Sequence, residues 1–178
     1  TDPDPGVREA AVSALADASY SEEAEPVLAL ALATDSWPLV RAAAAAALAG
    51  RCPRPAAADA LYEAVAKETN DAVRRTALIA LVHCREPRLP GRLLGIARDA
   101  KLSVSLRTHA AGLLGAVPAV SRIPQIAALL ATTQATDDTA PIAAKLAHAL
   151  GEIGDLRAPD ALVSALTHPR APEVQHAA

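Results

Sequence analysis

One short motif, an aliphatic residue that opens an alanine-rich stretch, returns along the chain at nearly constant intervals. We call its first residue the anchor, and the anchors are Val7, Val40, Val73, Leu106, Ile142 and Val174. The first three steps between anchors are identical in length, the fourth is slightly longer and the fifth slightly shorter. Such a period is the signature of proteins in which each repeat packs on its neighbours. The chain is therefore expected to fold as a stack of similar units.

Each unit reads as two helices. Apolar residues stand at the anchor and four, seven and eight residues later, on one face of a helix that we call the A helix. A second apolar stretch, such as ADALYEAVA at residues 58–66, forms the B helix of the same unit. Only 2% of the residues are aromatic, and alanine at this density favours helices because it loses no side-chain entropy. The sequence predicts about eleven helices, the last cut short, and no strand.

Polar residues near the anchors indicate where the A helices begin. A side-chain oxygen at that place accepts a hydrogen bond from one of the first unpaired backbone N–H groups of the helix. The predicted capping residues are Asp4, Ser36, Asn70, Ser103 and Thr139.

The repeated pattern Asp-x-x-Val-Arg-x-x-Ala-x-x-Ala-Leu-Gly, followed by Gly-Asp-x-Arg-Ala-x-x-Ala-Leu, resembles the HEAT repeat family. The resemblance is strongest to its short bacterial form, the PBS-lyase HEAT-like repeat, and the stretch HALGEIGDLRAPDALVSAL at residues 148–166 matches best. Ankyrin and tetratricopeptide repeats fit less well, because the Thr-Pro-Leu-His turn and the aromatic positions are missing. The resemblance implies an all-α, right-handed α–α superhelix of about five and a half helical hairpins.

The predicted organisation is a single HEAT-type solenoid over residues 1–178. Its repeats lie near residues 4–35, 36–69, 70–102, 103–137 and 138–170, with a partial repeat at 171–178. The chain holds no methionine, and its last residues read as the middle of a helix. We therefore expect it to be a fragment of a longer protein.

The resemblance implies a non-catalytic scaffold for protein–protein interaction, with binding through the concave face of the B helices and the inter-repeat loops. A phycobilin lyase-type subunit is the alternative. A HEAT-like DNA glycosylase is disfavoured, because the net charge is −3 and aromatic residues are scarce. The expected partner is a protein or neighbouring domains of the same chain, with no nucleic acid, membrane or cofactor. Two cysteines and the lack of a visible signal peptide favour the cytoplasm.

One row of arginines occupies the same place in four successive repeats. These are Arg8, Arg41, Arg74 and Arg107, and Ala143 interrupts the row in the fifth repeat. HEAT families commonly pair such arginines with acidic residues in a ladder along the stack, which the resemblance implies here as well. The candidate acidic partners are Asp4, Asp35, Asp71 and Asp138. A phosphate-binding groove is the alternative interpretation of the row.

Four residues are candidates for contact with a partner. Tyr62 lies on the second B helix, and Trp37 precedes Pro38 at the start of the second A helix. For each of them, packing within the stack is the alternative. Thr133 and Asp137 lie in ATTQATDDTAP, residues 131–141, where the repeat is longer than the others. We expect this segment to project as a loop and to interrupt the ladder between the fourth and fifth repeats.

The histidines and the two cysteines do not form a recognisable metal or disulfide motif in the sequence. The five histidines stand at different places within the repeats, and no His-Glu pair occurs. No metal site is therefore predicted. Cys52 and Cys84 fall in neighbouring inter-helix turns, which we expect to be separated by the repeat spacing. That spacing exceeds the limit of about 7 Å between Cα atoms for a disulfide, so two free thiols are predicted.

Overall fold

The computed structural model describes residues 2–17, 23–52, 54–133 and 139–167, and every regular element in these ranges is helical. Ten α-helices and one short 3₁₀ turn, Val120–Arg122, follow one another. The α-helices are α1 Pro5–Asp17, α2 Ala24–Thr34, α3 Pro38–Ala49, α4 Pro55–Lys67, α5 Asp71–His83, α6 Leu89–Arg98, α7 Val104–Leu113, α8 Ile123–Thr132, α9 Ala140–Ile153 and α10 Pro159–Thr167. The expected all-α fold is confirmed. The eleventh helix, predicted from Ala171 onward, lies outside the described residues.

Local sequence explains most helix ends. The Asn70 side chain accepts the N–H groups of Ala72 and Val73 at the start of α5, and Ser103 accepts that of Leu106 at the start of α7. Proline fills the first or second position of α3, α4, α6, α8 and α9, where no backbone N–H is needed. Gly154 ends α9 at a φ of +65°, a left-handed conformation that glycine adopts without strain.

Residues 1–86 form one compact unit, which contains α1 to α5. The A helices pack side by side, α1 on α3 and α3 on α5, and each B helix packs on the A helix that follows it, α2 on α3 and α4 on α5. The two B helices, α2 and α4, also pack on each other. Leucines such as Leu48, Leu61 and Leu81 are fully buried between these layers. This two-layer stacking of hairpins is the HEAT-type arrangement.

Residues 87–178 form the second compact unit, whose described part contains α6 to α10. Here α7 packs on α9, α6 packs on α7, and α8 packs on α9. Leu106, Ile126 and Ile142 are fully buried within it. The boundary between the units falls between α5 and α6, inside the predicted third repeat. A single solenoid over residues 1–178 stays a prediction.

The predicted apolar stripe is wrong for the first repeat. The anchors Val40, Val73, Leu106 and Ile142 are at most 1% exposed, but Val7 is 51% exposed. The buried residue of α1 is Val12. The reason is that α1 packs mainly against α3, so only the side of α1 that faces α3 is covered.

The prediction of two free thiols is also wrong. Cys52 and Cys84 form a disulfide, and their Cα atoms are 5.1 Å apart. Cys52 follows α3 and Cys84 follows α5, and these two helices pack side by side. Cys52 stands twelve residues after its anchor and Cys84 only eleven. At these turns the two Cα atoms therefore lie closer together than the axes of packed helices, which are about 8–10 Å apart.

The segment 131–141, which makes the fourth repeat long, is described only at its edges. The helix α8 ends at Thr132, and α9 begins at Ala140. Thr133 is half-buried, and its hydroxyl donates to the Leu129 carbonyl at 2.7 Å. Residues 134–138 lie outside the described residues, so the projecting loop stays a prediction.

Candidate functional site: an arginine ladder beside a helix groove

The first arginine of the row is held by two charge-assisted hydrogen bonds. Arg8 lies in the first turn of α1, and Asp35 directly follows α2. The guanidinium donates to the Asp35 carboxylate through Nε at 2.7 Å and Nη2 at 2.9 Å. Its Nη1 donates to the Asp2 carbonyl at 2.8 Å. Only 15% of the Arg8 side chain and 8% of the Asp35 side chain are exposed, so this bidentate pair is largely shielded from water.

The second arginine repeats this geometry with an acid that the sequence analysis missed. Arg41 donates to the Glu68 carboxylate through Nε at 2.6 Å and Nη2 at 3.0 Å. Its Nη1 donates to the Asp35 carbonyl at 2.8 Å, so Asp35 contacts both arginines. Asp35 and Glu68 each stand 27 residues after their arginine and directly after a B helix. That shared position is the signal by which Glu68 could have been found.

The remaining arginines of the row contact backbone instead. Arg74 Nε donates to the Val65 carbonyl in the last turn of α4, and Arg107 Nε donates to the Ala97 carbonyl in the last turn of α6, both at 3.2 Å. Lys101 and Gln134 occupy the equivalent positions after these two arginines, so the sequence offers no acid there. The ladder of side-chain pairs therefore has two bidentate members among the described residues.

The other acids that were proposed for the ladder are placed differently. Asp4 accepts the N–H of Gly6 at 2.7 Å at the start of α1, whereas the carboxylate that pairs with Arg8 is that of Asp35. Asp71 lies one helical turn before Arg74, with its Oδ1 3.8 Å from Arg74 Nη1. Asp138 lies outside the described residues.

The pairs shift the pKa values of their members in opposite directions. Hydrogen bonds from Arg8 hold the pKa of Asp35 below its usual value, against the opposing effect of burial. Burial raises the pKa of Glu68, but hydrogen bonds from Arg41 and from the Asn70 and Thr69 N–H groups outweigh it, so the net shift is downward. The hydrogen bonds to these carboxylates raise the pKa of Arg8 and Arg41.

Lowering the pH is therefore expected to decrease the free energy of unfolding of the first unit. In the unfolded chain Asp and Glu titrate near pH 3.9 and 4.3, and in the folded chain Asp35 and Glu68 titrate lower. As the pH falls below the unfolded pKa values, the unfolded state binds more protons than the folded state, so the free energy of unfolding decreases. The stabilisation from these two carboxylates is therefore complete above about pH 5 and is lost as the pH falls through the folded pKa values. Urea unfolding between pH 7 and pH 3 measures this. In the double variant Asp35→Asn, Glu68→Gln, the free energy of unfolding should decrease less between pH 7 and pH 3 than in the original protein. An equal decrease in both proteins would contradict the assignment.

A groove of about 420 Å³ lies between the B helices α2 and α4, next to the ladder. Its apolar lining consists of Leu32 and four small residues, namely Ala29, Ala33, Ala60 and Ala64. Glu63, Lys67, Glu68 and Thr69 line it as polar groups, and Lys67 bonds Glu63 one turn earlier along α4. Because alanine side chains are short, a ligand segment can approach the two helices closely. We call this surface the α2–α4 groove.

The four residues that were proposed for partner contact do not form one cluster. Tyr62 is half-buried on α4 and does not line the α2–α4 groove. Trp37 directly precedes α3, and 48% of it is exposed. Thr133 belongs to the second unit, and Asp137 lies outside the described residues. The residues Ala33, Ala60 and Ala64 of the groove had not been singled out, because alanine is common throughout the chain.

Two searches of the described residues gave negative results. Within residues 2–17, 23–52, 54–133 and 139–167, no group of three or more His, Cys, Asp or Glu side chains could hold a metal ion. In the same ranges, none of the helices has the length and the apolar character that crossing a bilayer requires.

The chain matches a known protein family. A family model described as HEAT repeats matches residues 1–49 and, in a second match, residues 26–111. Together the two matches cover more than half of the 178 residues. None of the curated proteins that were compared with the chain matches it significantly.

Proposed function

The chain belongs to the HEAT repeat family, and from this we propose that it is a non-catalytic scaffold that binds a protein partner through its B helices. HEAT repeats are commonly protein-interaction modules, which supports the general role. The observation that carries the particular site is the α2–α4 groove, with its apolar lining of mostly small residues and its polar rim. Protein interfaces have the same composition, a desolvated apolar centre surrounded by polar groups.

The charge pattern of the groove indicates what kind of segment it accepts. Glu63 and Lys67 bond each other on the surface of α4, and Glu68 is neutralised by Arg41. A strongly charged ligand therefore gains little from this surface. We propose that the partner inserts a largely apolar helix or extended segment between α2 and α4, with a few polar groups that reach Thr69 and Lys67.

The bacterial PBS-lyase relationship and the cytoplasmic location remain proposals. The Cys52–Cys84 disulfide counts against the cytoplasm, because disulfides persist mainly in oxidising compartments. The inter-repeat loops are retained as a second part of the proposed binding surface.

Selection from a displayed library of natural protein fragments, followed by affinity measurement, tests the proposal. For a fragment that binds, Ala33→Arg is expected to weaken affinity at least tenfold, on the order of 1.4 kcal/mol, because the long charged side chain fills the groove. Ala46→Arg is the matched control, since Ala46 is also an exposed helical alanine but lies on α3. It should change affinity less than twofold.

Two further probes separate the alternative functions. Free bilin, followed by its absorbance, tests a phycobilin lyase-type role, and duplex DNA in a gel-shift assay tests a glycosylase-type role. Binding of either probe in the absence of any fragment that binds would replace the scaffold proposal. Fragments that bind equally well to the Ala33→Arg and Ala46→Arg variants would move the site away from the groove.

A further inference from the structure

We infer that one side of helix α6, together with the residue that directly precedes α8, is a docking surface for an acidic segment of a protein partner. We call this surface the α6 arginine face. It consists of Arg88, Gly91, Arg92, Gly95, Arg98 and Arg122. All of these residues belong to the second compact unit. The inference is therefore separate from the α2–α4 groove and does not depend on the function proposed there.

The first observation is a reversal of charge along the chain. The whole chain has a net charge of −3, but residues 87–133 contain six arginine and lysine residues and one acidic residue, Asp99. The Asp99 carboxylate accepts the N–H of Lys101 at 3.0 Å and forms no ion pair within the described ranges. This part of the chain thus carries positive charge that its own carboxylates do not balance. Such a surface attracts a partner of the opposite sign.

The second observation is that the cationic side chains meet on α6. Arg88 directly precedes this helix, and Arg98 is its last residue. Gly91 and Gly95 lie between them on the same side, because residues three, four and seven apart share one side of a helix. Arg122 directly precedes α8, and its Nη2 lies 3.4 Å from the position that a Cβ atom at Gly91 would occupy. The missing side chain at Gly91 therefore gives Arg122 room to lie against α6.

Two of these arginines have no anionic partner in the part of the chain that the structure describes. Arg92 and Arg122 are exposed and form no ion pair there, whereas Arg8, Arg41 and Arg157 each pair with a carboxylate. The first turns of α6 and α8 contain no acidic residue. The helix dipole places partial positive charge at the start of α8, which disfavours a cation such as Arg122. The cluster therefore adds little to the stability of the fold, and recognition of an anion accounts for it.

The third observation is Gly95, an exposed glycine inside α6. A Cβ atom at this position would meet nothing within 4 Å, so packing inside the unit does not require glycine. Glycine is also the least favourable residue inside a helix after proline. What glycine does provide is close approach of another backbone, which a side chain would obstruct. The open space at Gly95 thus gives a partner segment a place to lie beside the arginines.

The dimensions of the face define the form of the partner. Arg88 and Arg98 are ten residues apart, which is about 15 Å along a helix. An extended peptide covers this distance with about five residues. A guanidinium binds a carboxylate through two parallel hydrogen bonds, as Arg8 binds Asp35. A short extended segment rich in glutamate or aspartate therefore matches the face in both length and charge.

A nucleic acid matches the face less well. Its charge continues along the whole phosphate backbone, beyond a patch of this size. Single strands are also bound through aromatic side chains on which the bases stack. The aromatic residues of the chain are Tyr20, Trp37 and Tyr62, all in the first unit, so the sequence of the second unit offers no such platform.

Fluorescence anisotropy with three short labelled probes tests the inference. The probes are hexaglutamate, hexaglutamine as the uncharged control, and a hexathymidylate single strand as the competing polyanion. Hexaglutamate is expected to bind with a Kd on the order of 100 µM at low salt, at least about tenfold more tightly than hexaglutamine. Added salt should weaken this binding, because the arginines are exposed and their charges are screened.

Substitutions test charge and shape separately. Arg92→Gln and Arg122→Gln should each weaken hexaglutamate binding about twofold to fivefold, and the double variant about tenfold, with the Tm within about 2 °C of the original. Lys145→Gln is the matched control, because Lys145 is an exposed cation of the same unit but lies on α9. It should change affinity less than about twofold. Gly95→Gln should weaken binding about threefold or more, yet raise the Tm by about 2–4 °C because glutamine is the better helix former.

Four results would overturn the inference. They are hexaglutamate bound no better than hexaglutamine, hexathymidylate bound as tightly as hexaglutamate, a Lys145→Gln variant weakened as much as Arg122→Gln, and a Gly95→Gln variant that binds as tightly as the original chain. The fragments selected against the α2–α4 groove take no part in this test. Failure of one proposal is therefore distinguishable from failure of the other.

Discussion

Reduction of the Cys52–Cys84 disulfide is expected to lower the free energy of unfolding of the first unit by about 3.5 kcal/mol. The two cysteines are 32 residues apart in sequence, and the bond closes a loop of that length in the unfolded chain. In the chain-entropy model, loops of about 15 and 100 residues give about 3 and 4.7 kcal/mol, so this loop falls between them. The folded unit changes little, because packing of α3 on α5 already brings the two turns together.

Urea unfolding with and without a thiol reductant measures this effect. The double variant Cys52→Ser, Cys84→Ser is the control, because it should be as unstable as the reduced protein and should not respond to the reductant. Thiol titration of the denatured, unreduced protein should find no free thiol. Two free thiols per chain, or equal stability with and without reductant, would contradict the disulfide.

The repeat period predicted the helices well because the pattern of each helix is local. The apolar spacing and the caps act within one or two turns, so residues such as Asn70 and Ser103 indicate α5 and α7 without knowledge of the rest of the fold. The same period identified Arg8 and Arg41 as equivalent residues, and the structure pairs both with carboxylates.

The errors concern contacts between distant parts of the chain. The acids were sought near the arginines in sequence, whereas Glu68 reaches Arg41 from the far end of the hairpin. Periodicity marks Val7 as equivalent to Val40 but does not reveal whether a neighbouring helix covers it. A mean repeat spacing describes helix axes, and it fails for the turns that carry Cys52 and Cys84. Each error arises where the environment of a residue is set by the stack rather than by its own helix.

Shortening one buried leucine should be among the most damaging single changes in the first unit. Leu81 on α5 is completely buried, and Leu81→Ala is expected to lower the free energy of unfolding by about 2–5 kcal/mol. The loss has two sources, the transfer free energy of the removed carbons and the cavity that closely packed neighbours fill only in part. Denaturant unfolding of the first unit, monitored by exchange of its backbone N–H groups, measures the change.

Ile79 provides the matched control two residues earlier on the same helix. It is 41% exposed, so Ile79→Ala removes a side chain of the same size while water already contacts much of it. We expect the free energy of unfolding to fall by about 1 kcal/mol or less. The hydrophobic contribution of a side chain scales with its buried apolar area, which is small here, and alanine has a higher helix propensity than isoleucine. Because the two residues share one helix, the difference between the variants isolates the stacking of α5 against α3 and α4. Equal losses would mean that α5 is held by its own helical structure and that repeat stacking is not what stabilises this unit.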